Sequence, residues 1–210
     1  MAAAVGACVL VVFGCGLGLG GLTRQFHPTL PPLAETADPE WTPPPPMPGK
    51  PSGPTLGRSM PTRVSIGAIG VRAKVKSVGI GIRGDLGVPD VDSEFAGWYE
   101  RGPSPGEAGP AVIVGHVDSH TTGPAVFYYL GTLERGNDID VARRDGRVAT
   151  FAVDRVATYP KREFPYAAVF APTPSATLRL VTCGGHFDEA EGSYTNNTVV
   201  YATLTSVDKR

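Results

Sequence analysis

A cysteine and a histidine, far apart in the sequence, carry the side chains best suited to covalent chemistry. Cys183 ends the apolar run LRLVTC and precedes two glycines, whereas His116 follows the apolar run AVIVG. A thiolate is a strong nucleophile, and a nearby imidazolium lowers the thiol pKa and stabilises the charge. The backbone N–H groups of Gly184 and Gly185 are not obstructed by side chains, which suits them to donate to an oxyanion. This pattern favours nucleophilic catalysis, provided that the fold brings the thiol and the imidazole together.

Two other roles for these residues stay open at this stage. Cys183 has no partner for a disulfide within the body of the chain, because the other two cysteines are Cys8 and Cys15. A free cysteine often acts as a small buried hydrophobe, which would suit a tethered barrel that only binds peptides. Zinc takes imidazole and thiolate ligands, and the candidate ligands are His116, His120, Cys183 and His186. No helical HExxH pattern supports that zinc site.

Strands must position the candidate residues, since apolar side chains alternate along much of the chain. Alternation with glycine breaks between 63 and 80 predicts a hairpin, and Asp145-Gly146 predicts the turn of a second hairpin within 138–159. The runs AVIVGHVDS, TLRLVTC and NTVVYATL predict further strands, with the cysteine and the histidine at strand ends. Helical patterning in the body is sparse, and the best candidate is 124–133, with a proline near its first turn. The fold class is therefore all-β, a barrel or a sandwich.

The N-terminal segment, residues 1–24, is predicted to be a membrane anchor. Residues 2–22 carry no charge. A helix of that length spans about 30 Å, the thickness of the hydrocarbon core. A cleaved signal peptide is the alternative, because small residues stand near the end of the segment. Both interpretations place the body of the protein outside the cytoplasm, and the anchor predicts a single-pass protein of the cell membrane.

The segment 25–62 is rich in proline and is predicted to be a flexible linker. It buries too little apolar surface to offset its ordering entropy. Chains of this kind extend by about 3.1 Å per residue, which would hold a domain several nanometres from a bilayer. The folded domain is predicted over 63–210. The formal net charge of −1 does not suggest a nucleic-acid partner.

Three stretches of the body resemble the sortases, the cysteine transpeptidases of Gram-positive cell envelopes, and the class F sortases in particular. They are GPAVIVGHVDS, TLRLVTCGGHFD and GSYTNNTVVYATL. The resemblance extends over roughly 63–206 and fits the anchor and linker that precede it. It implies a closed eight-stranded sortase barrel with short helices, and no metal or organic cofactor.

The resemblance also implies a role for each residue. Cys183 would attack a sorting-signal peptide, typically between Thr and Gly of an LPXTG-like motif, and form an acyl-thioester. His116 would protonate the leaving amine and deprotonate the incoming one. The acceptor would be an amine of a peptidoglycan precursor or of another protein. A hydrolase, in which water resolves the thioester, remains an alternative.

The sequence departs from the sortase pattern at the third catalytic residue. Sortases use an arginine that steadies the substrate or the oxyanion, usually on the strand after the cysteine, and 184–206 contains no arginine. Arg179 is one substitute, because a spacing of four puts it on the same strand face as Cys183. Asn196 and Asn197 are others, as hydrogen-bond donors, although asparagine there favours a turn before the last strand. Asp118 would orient the imidazole or cap the turn after it.

Overall fold

The computed structural model describes residues 30–32, 53–80, 86–90 and 94–209 of the chain. Eight strands form a closed barrel in the order β1-β2-β3-β4-β9-β10-β8-β7, and β1 pairs with β7 to close it. A separate pair of short strands, β5 and β6, lies outside the barrel. The predicted closed eight-stranded barrel is therefore confirmed.

The elements have the following bounds. The strands are β1 (Pro61–Ile66), β2 (Val71–Val78), β3 (Phe95–Tyr99), β4 (Gly109–Val114), β5 (Asp118–Ser119), β6 (Gly123–Pro124), β7 (Asp138–Arg143), β8 (Arg147–Pro160), β9 (Ala176–Asp188) and β10 (Ser193–Lys209). One short helix, α1 (Tyr166–Phe170), precedes β9. The 3-10 turns are Gly67–Ile69, Leu130–Thr132 and Lys161–Glu163.

The site depends on three neighbouring strands. β4 and β9 are parallel, whereas β9 and β10 form a long antiparallel hairpin. Alternate residues of β9 face opposite sides, because successive side chains of a strand do so. Leu178 and Leu180 belong to the large core inside the barrel. Val181 packs with Val199 and Tyr201 in a second cluster outside the barrel, beneath α1.

Three predictions about local structure are wrong. The segment 124–133 contains only the end of β6 and a 3-10 turn, so the predicted helix is absent. Asn196 and Asn197 lie inside β10 instead of a turn. β9 does not end at the cysteine but continues through both glycines to Asp188. The hairpin pairing with β10 explains both extensions, because it gives the polar backbone regular partners that a local pattern does not reveal.

The N-terminal boundary of the folded domain lies before 63. β1 begins at Pro61, and Leu56 packs against the barrel core. The buried guanidinium of Arg143 donates to the carbonyl oxygens of Gly57 and Pro105. These contacts hold residues 56–62, which were assigned to the linker, against the barrel.

The proposed anchor, residues 1–24, lies outside the described residues. Among the residues that are described, the structure contains no helix long and apolar enough to cross a membrane.

Candidate active site

The register of β4 and β9 brings the histidine and the cysteine together. Val112 pairs with Arg179 and Val114 with Val181, and the Gly115 N–H donates to the Val181 carbonyl at 3.1 Å. His116 lies two residues beyond Val114, and Cys183 lies two residues beyond Val181. Because the strands are parallel, continuing the register places His116 beside Cys183.

The half-buried imidazole of His116 is held by a backbone carbonyl group. Its Nε2 lies 2.7 Å from the carbonyl oxygen of Pro89, which can only accept a hydrogen bond, so Nε2 carries the proton. The preceding Gly115 leaves no room for a side chain, since a Cβ there would come within 2.6 Å of the Phe127 ring. The chain can therefore leave β4 at Gly115 close against the Phe127 ring, and this path sets the position of His116.

Cys183 is a free, half-buried cysteine in β9. Burial raises the pKa of its thiol above the ordinary value, and the negative charge of Asp118 adds to that increase in pKa. The ammonium of Lys161 acts in the opposite direction, since its charge and its hydrogen bond to the thiol lower the pKa of Cys183. The net effect is a raised pKa, so the thiol is mainly protonated at neutral pH in the resting enzyme.

Asp118 is held by a partner from β10. The hydroxyl of Tyr194 donates to the Asp118 carboxylate at 2.5 Å. Burial and this carboxylate both raise the pKa of Tyr194, so its hydroxyl keeps its proton. The bond ties the segment after His116 to the hairpin that carries Cys183. Asp118 thus acts on the thiol both as a nearby charge and as a link between the two chain segments.

Arg179 shares the outer face with Cys183 but does not reach it. Four residues of strand separate the two by about 13 Å at roughly 3.3 Å per residue. Its guanidinium is 7% exposed, stacks 4.7 Å from the centre of the Tyr201 ring, and donates to the carbonyl of Leu178 at 3.0 Å. Burial lowers the pKa of Arg179 to about 10. These contacts make Arg179 part of the packing under α1, so the geometry does not support it as the third catalytic residue.

The two asparagines lie next to the cysteine. Asn197 pairs directly with Cys183 across the hairpin, and Asn196 pairs with Gly184. Paired residues of an antiparallel ladder point to the same side, so Asn197 lies beside the thiol on the outer face. Gly185 has a φ of +78°, and a Cβ there would come within 2.8 Å of the Asn196 Cγ. The glycine is therefore required for the asparagine to occupy its position.

A cavity of about 390 Å³ opens beside Cys183. Phe127, Tyr128 and Tyr194 supply aromatic walls, and 182–187 of β9 supply another side. Leu30 and Pro31, from the segment that precedes the barrel, also line it. A Leu-Pro dipeptide of the chain itself thus forms part of the wall of the cavity beside the nucleophile candidate.

The zinc alternative finds no support in the described part of the chain. Within it, no group of three or more His, Cys, Asp or Glu side chains is placed to hold a metal ion. The imidazole of His120 instead makes an edge-to-face contact with the Phe187 ring, at 5.9 Å between centres.

Comparisons with known proteins assign the fold and the family. The model of the sortase domain matches residues 64–205. Sortase A of Listeria monocytogenes is 16% identical over 72% of this chain and 90% of its own, with a TM-score of 0.54. Sortase C-1 of Streptococcus pneumoniae is 21% identical over 69% and 66%, with a TM-score of 0.54. A sortase D5 transpeptidase of Clostridium perfringens is 21% identical over 73% and 83%, with a TM-score of 0.52.

At these identities the solved structures show a shared fold alone, and no curated protein gave a significant match. The family match extends over most of the chain and is decisive: this protein belongs to the sortase family. Sortases are cysteine transpeptidases, so the chain is an enzyme that acts by acyl transfer.

Lys161 and Tyr194 contact the site but were missed by the sequence analysis. Lys161 lies at the end of β8, two strands away from Cys183, and no local motif marks it. Tyr194 stands in the stretch GSYTNN, in which only the two asparagines were considered as site residues. Only the pairing of β8, β9 and β10 brings both side chains to the thiol.

Proposed function

We propose that this protein is a class F sortase that cleaves an LPXTG-like sorting signal and transfers the acyl part to an amine of the cell envelope. The observation that carries the proposal is the β4–β9 register, which aligns His116 with Cys183, and Cys183 lines a cavity of about 390 Å³. The stretches GHVDS, TCGG and GSYTNN support the class. Its substrates would be secreted surface proteins.

The chemistry follows from the two residues. The Cys183 thiol gives its proton to the imidazole of His116, and the sulfur attacks the carbonyl carbon of the scissile bond. The carbonyl electron pair moves to oxygen, and when it returns the C–N bond breaks. The imidazolium gives its proton to the leaving amine, and a thioester remains. An incoming amine then gives a proton to the same imidazole, attacks the thioester, and regenerates the thiol as the amide forms.

The apolar lining of the cavity favours the proposal that the substrate contains a Leu-Pro pair. Leu30 and Pro31 line the cavity together with the aromatic side chains, so its walls are suited to contact apolar side chains of a peptide beside Cys183. Burying a leucine stabilises a complex by about 1.5–3 kcal/mol, which suits recognition of an apolar residue upstream of the scissile bond.

The location is part of the same proposal. The uncharged segment 2–22 would hold the protein in the cell membrane with a single pass, and the proline-rich stretch would extend the catalytic domain outside the cell. In that position the enzyme would meet both exported proteins and the amines of peptidoglycan precursors.

The test is turnover of a fluorogenic LPXTG-type peptide by the full chain, with and without an added amine. We expect cleavage, an amide product when amine is present, and loss of both reactions in Cys183→Ala and His116→Ala. Full turnover by Cys183→Ala would refute the mechanism. Cleavage without an amide product would identify a hydrolase. No cleavage of any such peptide, with reversible peptide binding, would instead identify a non-catalytic binding barrel.

A further inference from the structure

The described residues leave the site without the arginine that the sortase pattern places on the strand after the cysteine. β10 contains no arginine, and Arg179 is held in the packing under α1 by Tyr201 and two carbonyl groups. Cys183 is half-buried, and burial opposes its ionisation. A charge partner for the thiolate therefore has to come from another element.

Lys161 approaches the thiol from the turn that follows β8. In the barrel, β10 lies between β8 and the strand of the cysteine, β9. Pro160, the last residue of β8, pairs with Asn196, and Asn196 pairs in turn with Gly184 of β9. Lys161 follows Pro160 directly and opens a 3-10 turn, so its Cα lies level with the cysteine end of the hairpin. From there its ammonium lies near enough to Cys183 that its positive charge lowers the pKa of the thiol.

A second contact holds the lysine in this orientation. The Nζ donates to the Ser193 hydroxyl at 2.6 Å, and Ser193 begins β10. The side chain is half-buried, so its charge is less screened by water than that of an exposed lysine. The next residue, Arg162, differs from Lys161. Its side chain is 86% exposed and forms a salt bridge with Glu163.

We propose that Lys161 is the third catalytic residue of this enzyme and takes over, from a different strand, the role of the missing arginine. Its ammonium pairs with the Cys183 thiolate when the proton moves to His116. After attack, the sulfur is neutral in the tetrahedral intermediate, and the same ammonium is free to donate to the oxyanion. The proposal rests on the proposed acyl-transfer function for the second step only, because the pairing with the thiolate precedes any substrate.

The experiment measures the thiol itself. The rate at which iodoacetamide alkylates Cys183 would be followed by intact mass between pH 6 and 10, in the full chain and in three variants. Lys161→Met removes the charge and keeps most of the length, Lys161→Arg restores the charge, and Arg162→Met removes the neighbouring exposed charge. The charged groups that face the thiol are Lys161 itself and Asp118 from β5, and the phenol of Tyr194 from β10 also faces it.

We expect Lys161→Met to slow alkylation at pH 7.5 by about tenfold, the change that one pKa unit produces in the thiolate fraction. Lys161→Arg should stay within about threefold of the parent, since the charge remains. Arg162→Met should match the parent. An unchanged profile in Lys161→Met, with unaltered thermal unfolding, would overturn the proposal.

Peptide cleavage by the same proteins separates this proposal from the proposed function. If the parent cleaves an LPXTG-type peptide, kcat should fall in Lys161→Met and recover in Lys161→Arg. If the parent cleaves no peptide while alkylation still depends on Lys161, the proposed function fails and the thiolate pairing stands. If the parent cleaves and Lys161→Met cleaves equally well, Lys161 has no catalytic role.

Discussion

At the scale of single residues, burial and two opposite charges set the pKa of Cys183, the proposed nucleophile. Burial raises the pKa of the Cys183 thiol most, the charge of Lys161 lowers it, and the charge of Asp118 raises it. Burial adds to the effect of Asp118, so the pKa is raised overall. The thiol is therefore mainly protonated at neutral pH, and in the proposed mechanism His116 removes its proton.

This balance predicts the pH dependence of alkylation. Because the pKa of Cys183 is raised above 9.0, the alkylation rate should climb about tenfold per pH unit through neutral pH and still rise at pH 9. Asp118→Asn should increase the rate at pH 7.5 several-fold, since the amide removes the charge and can still accept from Tyr194. The measurement is intact mass after timed exposure to iodoacetamide.

Asp138→Asn, at the exposed first position of β7, is the control for the loss of a carboxylate and should leave the rate unchanged. A plateau in the parent below pH 7 would mean that the thiol is already ionised. Slower alkylation in Asp118→Asn would mean that its charge does not oppose the thiolate.

At the scale of elements, the β9–β10 hairpin positions four residues of the candidate site: Cys183, Tyr194, Asn196 and Asn197. Its pairing shifts by one residue between Tyr194 and Asn196, opposite the stretch that follows Cys183. A bulge of this kind bends the strand and redirects side chains. Gly185 makes the bulge possible, because it has a positive φ and lies against the Thr195 hydroxyl and Asn196.

Gly185→Ala should therefore destabilise the protein more than a comparable substitution elsewhere in the hairpin. Gly192→Ala is the matched control, since Gly192 also has a positive φ (+60°) but faces open space. We expect a loss of about 1–2 kcal/mol in the free energy of unfolding for Gly192→Ala, from the backbone conformation alone. Gly185→Ala should lose more, because a Cβ would come within 2.7 Å of the Thr195 hydroxyl oxygen.

Urea denaturation of the two variants checks this prediction. Equal losses would show that Thr195 and Asn196 move aside and that the bulge does not depend on Gly185. A larger loss in Gly185→Ala, accompanied by slower peptide cleavage, would tie the bulge to the arrangement around Cys183.

The strands themselves were largely predictable, whereas their neighbours were not. Alternating apolar residues and the Asp145-Gly146 turn predicted both local hairpins, β1–β2 and β7–β8, because both signals are local. The wrong helix at 124–133 arose from a mixed apolar run, which the fold uses instead to pack Phe127 and Leu130 in the core. The asparagines were misassigned to a turn because asparagine favours turns locally and the long hairpin overrode that preference.

The site was predictable only in part for the same reason. Cys183 and His116 stand out by residue type and by the strands before them, so sequence alone selected them. The choice of Arg179 as third residue used strand alternation correctly, since it does share the outer face with Cys183. Distance along the strand and burial under α1 were not visible in the sequence. Lys161 could not be found, because its approach to the thiol depends on the register of two strand pairs.

At the scale of the whole molecule, segments that precede β1 contact the barrel and line its cavity. Arg143 binds carbonyl groups from 57 and 105 and so ties the approach to β1 against the barrel. Further upstream, Leu30 and Pro31 line the cavity beside Cys183. A peptide substrate that enters this cavity would have to lie against these two residues or displace them.

This overlap predicts competition between the chain's own segment and the substrate. Leu30→Ser should lower KM for an LPXTG-type peptide several-fold, because a serine loses most of the apolar burial that holds the segment in the cavity. Pro32→Ser is the control, since Pro32 is exposed and does not line the cavity. Steady-state kinetics with the full chain provides the comparison. An unchanged or higher KM in Leu30→Ser would mean that the segment does not occupy the substrate position.

The central claim is that Cys183 becomes acylated by the substrate with His116 as its proton carrier. The most direct test is intact-mass spectrometry of the full chain, quenched in acid soon after mixing with an LPXTG-type peptide in the absence of amine. The account predicts an added mass equal to the peptide up to its threonine, mapped to Cys183, absent from Cys183→Ala and removed by later addition of an amine. Cleavage of the peptide without such an adduct, or an adduct on another residue, would contradict it.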